Sequence, residues 1–563
     1  MPADRSVPEG AMKRLKLLFF TLRYIKLSQL AYRVYYRVRK PRLRALAEPE
    51  LRATPARWAG ATFMTPATED GNAFVFLGQA GDLKGGWNNP DYSKLWLYNL
   101  HYQDDLNVVG AEERPALCKH LIERWIADNP LFEGNGWEPY CLSLRIVNWV
   151  KWLSRYGEGE VHAEWLQSLA TQVDALDQQR EFHILANHLF ANAKALVFAG
   201  SFFGGEQGNA WLESGLKLLD AELEEQFLED GGHYERSPMY HAILLWDVCD
   251  LLQLQENTQL SCLSKRSGQW QRILSNGLSW LGKMVHPDRE IAFFNDATFG
   301  ISPTLEDLAN YCLKLGVKVQ EESRDTPTWS VTHLEASGYI AVDHSEKHRA
   351  LLDVAEIGPT YQPGHAHADT LSFELSLFGQ RLFVNSGTSQ YGIGPEREYQ
   401  RGTRAHNTVE VDEENSSEIW AGFRVARRAK PGNIAVNPDG NAFVVSSSHD
   451  GYRRLRGKVL TKRTWAFEEG AVQIVDELHG NWSTAISRFY CHPSIAVNQL
   501  NERELLLILP QGQKVRFSVE GVSVLRLVDS AWHPGFGLSS PNRCIEAVLS
   551  GSQLVSRIDY QNL

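Results

Sequence analysis

The chain has 563 residues, 43% of them hydrophobic and 22% charged, with a formal net charge of −11. That composition can bury a large core over two or three domains, excludes a disordered chain, and speaks against nucleic acid because no recognition module accompanies the acidic balance. Seven cysteines without a CxxC pair speak against a zinc knuckle or a dense disulfide framework, and no GxGxxG, P-loop, HExxH or GxSxG pattern points to nucleotide, zincin or α/β-hydrolase chemistry.

Residues 1–60 read as a basic amphipathic arm. Between Lys13 and Arg44 lie 11 Lys/Arg and no acidic residue, with Leu17, Leu18, Phe19, Phe20, Leu22, Tyr24, Ile25 and Leu27 interleaved. Residues 1–47 hold 12 basic and 2 acidic side chains, so the remaining 45 basic and 66 acidic residues give the body a net charge of −21. The apolar run between Lys16 and Arg23 is shorter than the core of a signal peptide and too short to span a bilayer, and no small-residue cleavage site follows. The expected location is cytoplasmic or peripheral to the inner membrane, with the periplasm left open. The arm has two readings: a contact with an anionic membrane surface, or helices packed against the body with solvated arginines.

Residues 61–325 form the predicted helical domain. Apolar positions recur at helical spacing from about Pro115 to Leu315, as in Leu117/Leu121/Trp125 and Leu244/Leu245/Val248/Leu252, and predict seven or eight helices. After Asp325-Thr326-Pro327 strands dominate, among them Tyr339 to Val342, Leu371 to Phe378, Thr408 to Val411, Ala442 to Ser446, Val472 to Val475 and Leu505 to Leu509. Helices followed by strands predict a multidomain α+β chain, with residues 326–563 as the antiparallel β domain.

Three segments concentrate groups that move protons near neutral pH. In the first, Asn187 and His188 lie beside the stripe Leu185, Leu189 and Leu196, where they either face a cavity or satisfy buried backbone groups. In the second, Gly231-Gly232 permits a tight turn before Tyr240 enters a helix, with His233, Glu235 and Arg236 close by. Tyr240 and His241 are adjacent, so at about 100° per helical residue they cannot face one point, and one of them is structural. In the third, His365, His367 and Asp369 share parity with Leu371, Phe373, Leu375 and Leu377, which predicts one strand with all three polar groups turned inward. Burying them requires a ligand, a metal or a mutual hydrogen-bond network. A metal and a metal-free histidine cluster both remain open, with His406 and Asn385 as further donors.

These segments, with Ala405-His-Asn-Thr-Val, Leu95-Trp96-Leu-Tyr-Asn-Leu-His-Tyr, Gly136-Trp137-Glu138-Pro-Tyr140, Ser143-Leu-Arg145-Ile-Val-Asn148-Trp and His449-Asp-Gly-Tyr, together resemble the heparinase II/III superfamily of polysaccharide lyases. The resemblance covers most of the chain after about residue 90. It implies an incomplete (α/α) toroid followed by an antiparallel β-sandwich, and β-elimination on a uronic-acid-containing acidic polysaccharide. The expected lack of an export signal points to work in bacterial exopolysaccharide or surface-glycan production. Asn187 matches the family's carboxylate-neutralising Asn, with His188 beside it; Tyr240 matches the Brønsted acid/base and His365 the second base. His367, Asn385 and His406 match positions that hold a structural zinc in some members, although those members have Asp where this chain has Asn385. The chemistry itself requires no cofactor. Trp137, Tyr140, Arg145, Glu235, His241, Arg401, Arg404 and His449 are the candidates for contact with substrate, and Arg397, Arg424, Arg427 and Arg428 are further cations for a groove. Two other functions fit the same residues. One is a glycoside hydrolase with Glu138 and Glu235 as its carboxylate pair. The other is a non-catalytic glycan-binding or assembly protein in which Trp96, Trp137 and Tyr140 stack on sugars. The oligomeric state is open.

Overall fold

The computed structural model describes residues 9–46, 48–52, 57–156, 161–319, 329–439 and 442–561. Two helices open the chain, α1 (Glu9–Leu22) and α2 (Leu27–Val38). They pack on the body. The Tyr32 ring stacks on Phe182 at 4.8 Å and Lys26 pairs with Glu225 at 2.8 Å, which ties the arm to the helical domain. Trp420 Nε1 donates to Thr21 Oγ1 at 3.0 Å and Arg428 lies over Tyr24 at 4.0 Å, which ties it to the β domain. The packed reading of the arm therefore holds, while Phe19 (67% exposed), Leu27 (84%) and Val38 (83%) still face outward. No described helix is long and apolar enough to cross a membrane.

The helical domain contains α3 (Lys94–Tyr102), α4 (Pro115–Asp128), α5 (Pro139–Leu153), α6 (Ala163–Gln178), α7 (Ala186–Phe202), α8 (Gly205–Gln226), α9 (Pro238–Thr258), α10 (Ser261–Ser264), α11 (Ser267–Lys283) and α12 (Leu305–Lys314). Proline opens α4, α5 and α9, where its missing N–H costs no helical bond. Trp96, Trp125, Trp149, Trp152, Trp165, Trp270 and Trp280 fill the centre. Helix α7 is buried almost all round, as a hydrophobic helix without a polar face must be. Its close approach to α8 depends on glycine, because a Cβ at Gly200 would lie 2.4 Å from the Leu212 nitrogen.

The β domain holds antiparallel sheets of five, eight and four strands. Alternation is plain in Leu460–Glu468, where every second residue, including Trp465 and Phe467, is buried. The predicted strand through residues 365–377 does not form as one piece. It begins at Phe373, because Leu371 takes φ +64° and breaks the extended path. The shared-parity expectation fails with it: His365 opens to a cleft, whereas His367 and Asp369 are buried. A register shift between Phe373–Leu377 and Gln380–Phe383 then lets Asn385 send its backbone N–H to Glu374 Oε1 at 2.7 Å while its side chain meets His406.

The two halves are riveted by buried arginines. Arg349 donates to the Val285 carbonyl at 2.5 Å, and Arg381 to Asp288 at 2.7 Å and to the carbonyls of Glu290 and Ile291. The cleft lies between the halves that these bonds join.

Candidate active site

The start of α7 is strained. Leu185 and Ala186 take φ +70° and +57°, which costs about 1–3 kcal/mol each and persists only where surroundings enforce it. The enforcing residue is Glu181: its carbonyl accepts from Leu185 N–H at 2.8 Å, its own N–H donates to Asn192 Oδ1 at 2.7 Å, and its carboxylate accepts from Asn192 Nδ2 at 3.0 Å. The strained turn aims Asn187 and His188 into the cleft. His188 Nδ1 meets Glu181 Oε1 at 2.9 Å. Burial penalises the imidazolium, but Glu181 outweighs it and holds His188 above its ordinary value.

At the start of α9, Ser237 accepts from Tyr240 N–H at 3.2 Å, a cap that fixes the first turn and sends Tyr240 into the cleft. From the other half come His365 and Tyr391. The Tyr240 and His365 rings stack at 3.9 Å and 15°, and the hydroxyls of Tyr240 and Tyr391 are 2.9 Å apart. Burial, with Tyr391 alongside, pushes the Tyr240 phenol well above its ordinary value, so it is a neutral proton donor at pH 7. His365 Nδ1 is hydrogen-bonded to Glu235 Oε2. Burial works against the Glu235 charge, yet His365 beside it holds the carboxylate below its ordinary value. An ionised carboxylate only accepts, so Nδ1 carries the proton that faces Glu235, and Nε2 is the nitrogen left to act as base in the neutral imidazole.

The cleft has a volume of about 1170 Å³. Of the residues expected to contact substrate, it is lined by Tyr140, whose ring lies 4.4 Å from His188. The others are corrected. Glu235 is buried behind His365 and positions it. His241 is fully buried, with Nε2 2.9 Å from the Gly277 carbonyl, as its helical offset from Tyr240 requires. Trp137 turns into the aromatic core 5.3 Å from Phe132, and Trp96 is likewise buried with its N–H on the Gln79 carbonyl at 3.0 Å. Arg145 is spent inside on Gln172 and the carbonyls of His101 and Gly136, and burial lowers it to about 9. Arg401 donates to the Ala366 carbonyl at 2.9 Å and so braces the loop between His365 and His367. Arg404 is exposed outside the cleft, over Tyr399. His449 is buried where its Nδ1 accepts from Gly451 N–H at 3.2 Å. Arg397 is locked on buried Asp296 at 2.6 Å, and Arg427 on Glu418 at 2.6 Å; Arg424 and Arg428 do line the cleft.

Behind the cleft, His367 Nε2 meets Asp296 Oδ1 at 2.9 Å. His367 Nδ1 and His406 Nε2 are buried and have no hydrogen-bond partner among the described residues. With a carboxylate oxygen of Asp369 their ligand atoms lie within 4.8 Å of one another, a donor set that fits zinc. Asp369 completes this cluster, whereas Asn385, which the sequence reading placed with the two histidines, has its Oδ1 facing the other nitrogen of His406, Nδ1, at 3.2 Å.

Sequence reasoning did not single out Tyr391 or the anchoring role of Glu181. Tyr391 stands alone on a loop with Gly387, Gly392 and Gly394, where an aromatic flanked by glycines was the available signal.

Comparison with known proteins agrees with this architecture. The family described as Heparinase II/III N-terminus matches residues 119–314, and Heparinase II/III-like, C-terminal matches residues 326–561. A heparin-sulfate lyase of Bacteroides stercoris is 23% identical over 340 residues, which are 58% of this chain and 48% of that protein. The FtsZ-localized protein C of Caulobacter vibrioides is 26% identical over 398 residues, 68% of this chain and 62% of that protein. The chain thus spans about half to under two thirds of the length of these relatives. The crystal structure of heparinase III superposes with a TM-score of 0.66 at 18% identity, over 83% of this chain and 76% of that one. With both family halves matched in order and the toroid and sandwich in place, the chain belongs to the heparinase II/III-like superfamily.

Proposed function

We propose that the protein is a polysaccharide lyase that cleaves a uronic-acid-containing acidic glycan by β-elimination. The observation that carries this reading is Tyr240 stacked on His365 beside Asn187, in a cleft with no Asp or Glu lining it among the described residues. The Asn187 amide and His188 hydrogen-bond the uronate carboxylate and stabilise the enolate that develops on it. His365 Nε2 takes the proton from the adjacent carbon. The electron pair forms the new double bond and expels the glycosidic oxygen, which receives the phenolic proton of Tyr240. Solvent exchange resets both groups. The similarity to proteins named heparin-sulfate lyases supports the same reaction class.

A hydrolase needs two free carboxylates across the scissile bond. Glu138 is held by Lys94 and the Tyr98 hydroxyl, and Glu235 is committed to His365, so the geometry favours elimination. Mass spectrometry of the products from uronate polymers tests the choice: elimination leaves an unsaturated end lighter by one molecule of water than the hydrolytic product, and only saturated ends would mean hydrolysis. The polymer classes to compare are bacterial exopolysaccharides and sulfated glycosaminoglycans.

The reading includes a structural zinc on His367, His406 and Asp369, which would brace the loop that carries His365 and takes no part in proton transfer. Three protein ligands are fewer than the four usual for a structural site, so chelator is expected to remove the metal. His367→Ala is expected to cost about 1–3 kcal/mol even in chelator-treated protein, because buried Asp296 loses a hydrogen-bond partner. Urea unfolding of both forms, with elemental analysis, checks this; a cost confined to metal-loaded protein would contradict it.

The outward face of the arm is assigned to an anionic membrane surface, since exposed Phe19, Leu27 and Val38 stand among its basic residues and each Lys/Arg near such a surface adds about 1 kcal/mol. Co-sedimentation with anionic vesicles is expected to weaken with salt and to be lost in Phe19→Asp/Leu27→Asp. Sedimentation unchanged by that pair of substitutions would remove the arm as an anchor.

A further inference from the structure

Among the described residues the cleft is lined by Arg33, Lys94, Arg424 and Arg428 and by no acidic residue, in a chain whose net charge is −11. Lys94 is neutralised by Glu138 at 2.9 Å. Among the described residues, Arg33, Arg424 and Arg428 have no ion-pair partner, whereas Arg427, one residue from Arg428, is bound to Glu418. Glu356 favours the Arg428 charge from beyond ion-pair distance.

The three arginines come from distant parts of the chain. Arg33 lies on α2, and the other two on and just after the short strand Arg424–Val425. Aromatic faces hold two of them without cancelling their charge: Arg424 lies 4.8 Å over Trp420 and Arg428 4.0 Å over Tyr24. The Arg428 Nε is buried without a hydrogen-bond partner. Burial, and then the charge of Arg424, both disfavour the Arg33 guanidinium. Like charges gathered this way are unfavourable until an anion sits among them. The arm also lines the cleft with Leu18, Leu22 and Ile25, apolar surface suited to the faces of sugar rings.

We propose that Arg33, Arg424 and Arg428 form an anion subsite that holds a carboxylate or sulfate on a sugar next to the one that reacts, which makes the N-terminal helix pair a wall of the substrate cleft. The subsite deepens the acidic-glycan reading and rests on it. It is separate from Asn187 and His188, which take the carboxylate of the reacting sugar. Arginine suits the task because its planar fork grips both oxygens of a carboxylate or sulfate.

The test is calorimetric binding to full-length Tyr240→Phe protein, which keeps the cleft without turning over substrate. The probes are size-defined oligosaccharides of hyaluronan, which carries carboxylates alone, and of heparan sulfate, which carries both groups. Arg33→Ala and Arg424→Ala are each expected to weaken binding by about tenfold and to flatten its salt dependence, with the melting temperature unchanged. Arg427→Ala, a neutralised neighbour, is expected to stay within about twofold. Loss with both probes assigns the subsite to carboxylate, and loss with heparan sulfate alone assigns it to sulfate. Binding by the parent that survives Arg33→Ala/Arg424→Ala undiminished would overturn the subsite and leave the glycan reading standing. A parent that binds neither probe would overturn the subsite, whereas the acidic-glycan reading falls only if no uronate polymer yields an unsaturated product.

Discussion

Tyr240→Phe is expected to lower turnover of an acidic glycan by about 10²-fold or more, the scale of a general acid/base contribution, while the fold survives. The substitution keeps the ring that stacks on His365 at 3.9 Å and the cap from Ser237, and removes the hydroxyl oriented by Tyr391. Burial keeps that hydroxyl protonated, so what is lost is the proton delivered to the leaving oxygen. Steady-state rates beside a thermal melt check this. Activity within a few-fold of wild type would take Tyr240 out of the reaction.

Glu235→Gln is expected to cost about 10²–10⁴-fold in kcat with little change in KM, in the range seen when the partner that fixes a catalytic histidine becomes an amide. Glu235 does not line the cleft. It is a positioning residue: one oxygen holds His365 Nδ1, and the other accepts a long hydrogen bond from Asn187 N–H at 3.5 Å. An amide of the same shape can donate as readily as it accepts, so the imidazole is no longer confined to the tautomer with a basic Nε2. A raised KM with kcat intact would instead return Glu235 to the substrate-contact role that its sequence motif suggests.

Much of the helical half was legible because apolar periodicity reports directly on a buried face, and the split between Tyr240 and His241 followed from helical geometry alone. The β half was less so. The run from His365 to Leu377 alternates as one strand would, and nothing in the residue types reveals the positive φ at Leu371 that ends it. Charge within a motif was the most misleading signal. Arg145 and Arg401 read as glycan contacts, but the fold uses their guanidinium groups to satisfy buried carbonyls, a demand set by tertiary packing. The arm was readable as basic and amphipathic, yet only its docking across both domains places Arg33 beside Arg424, nearly 400 residues away in sequence.

The most direct test of the central claim is to follow ultraviolet absorbance while wild-type protein and Tyr240→Phe act on a panel of uronate polymers. β-Elimination leaves an unsaturated, absorbing sugar at each cut, so the account predicts rising absorbance with wild type on at least one polymer and near silence with Tyr240→Phe. No absorbing product from any uronate polymer, or equal rates from the two proteins, would contradict it.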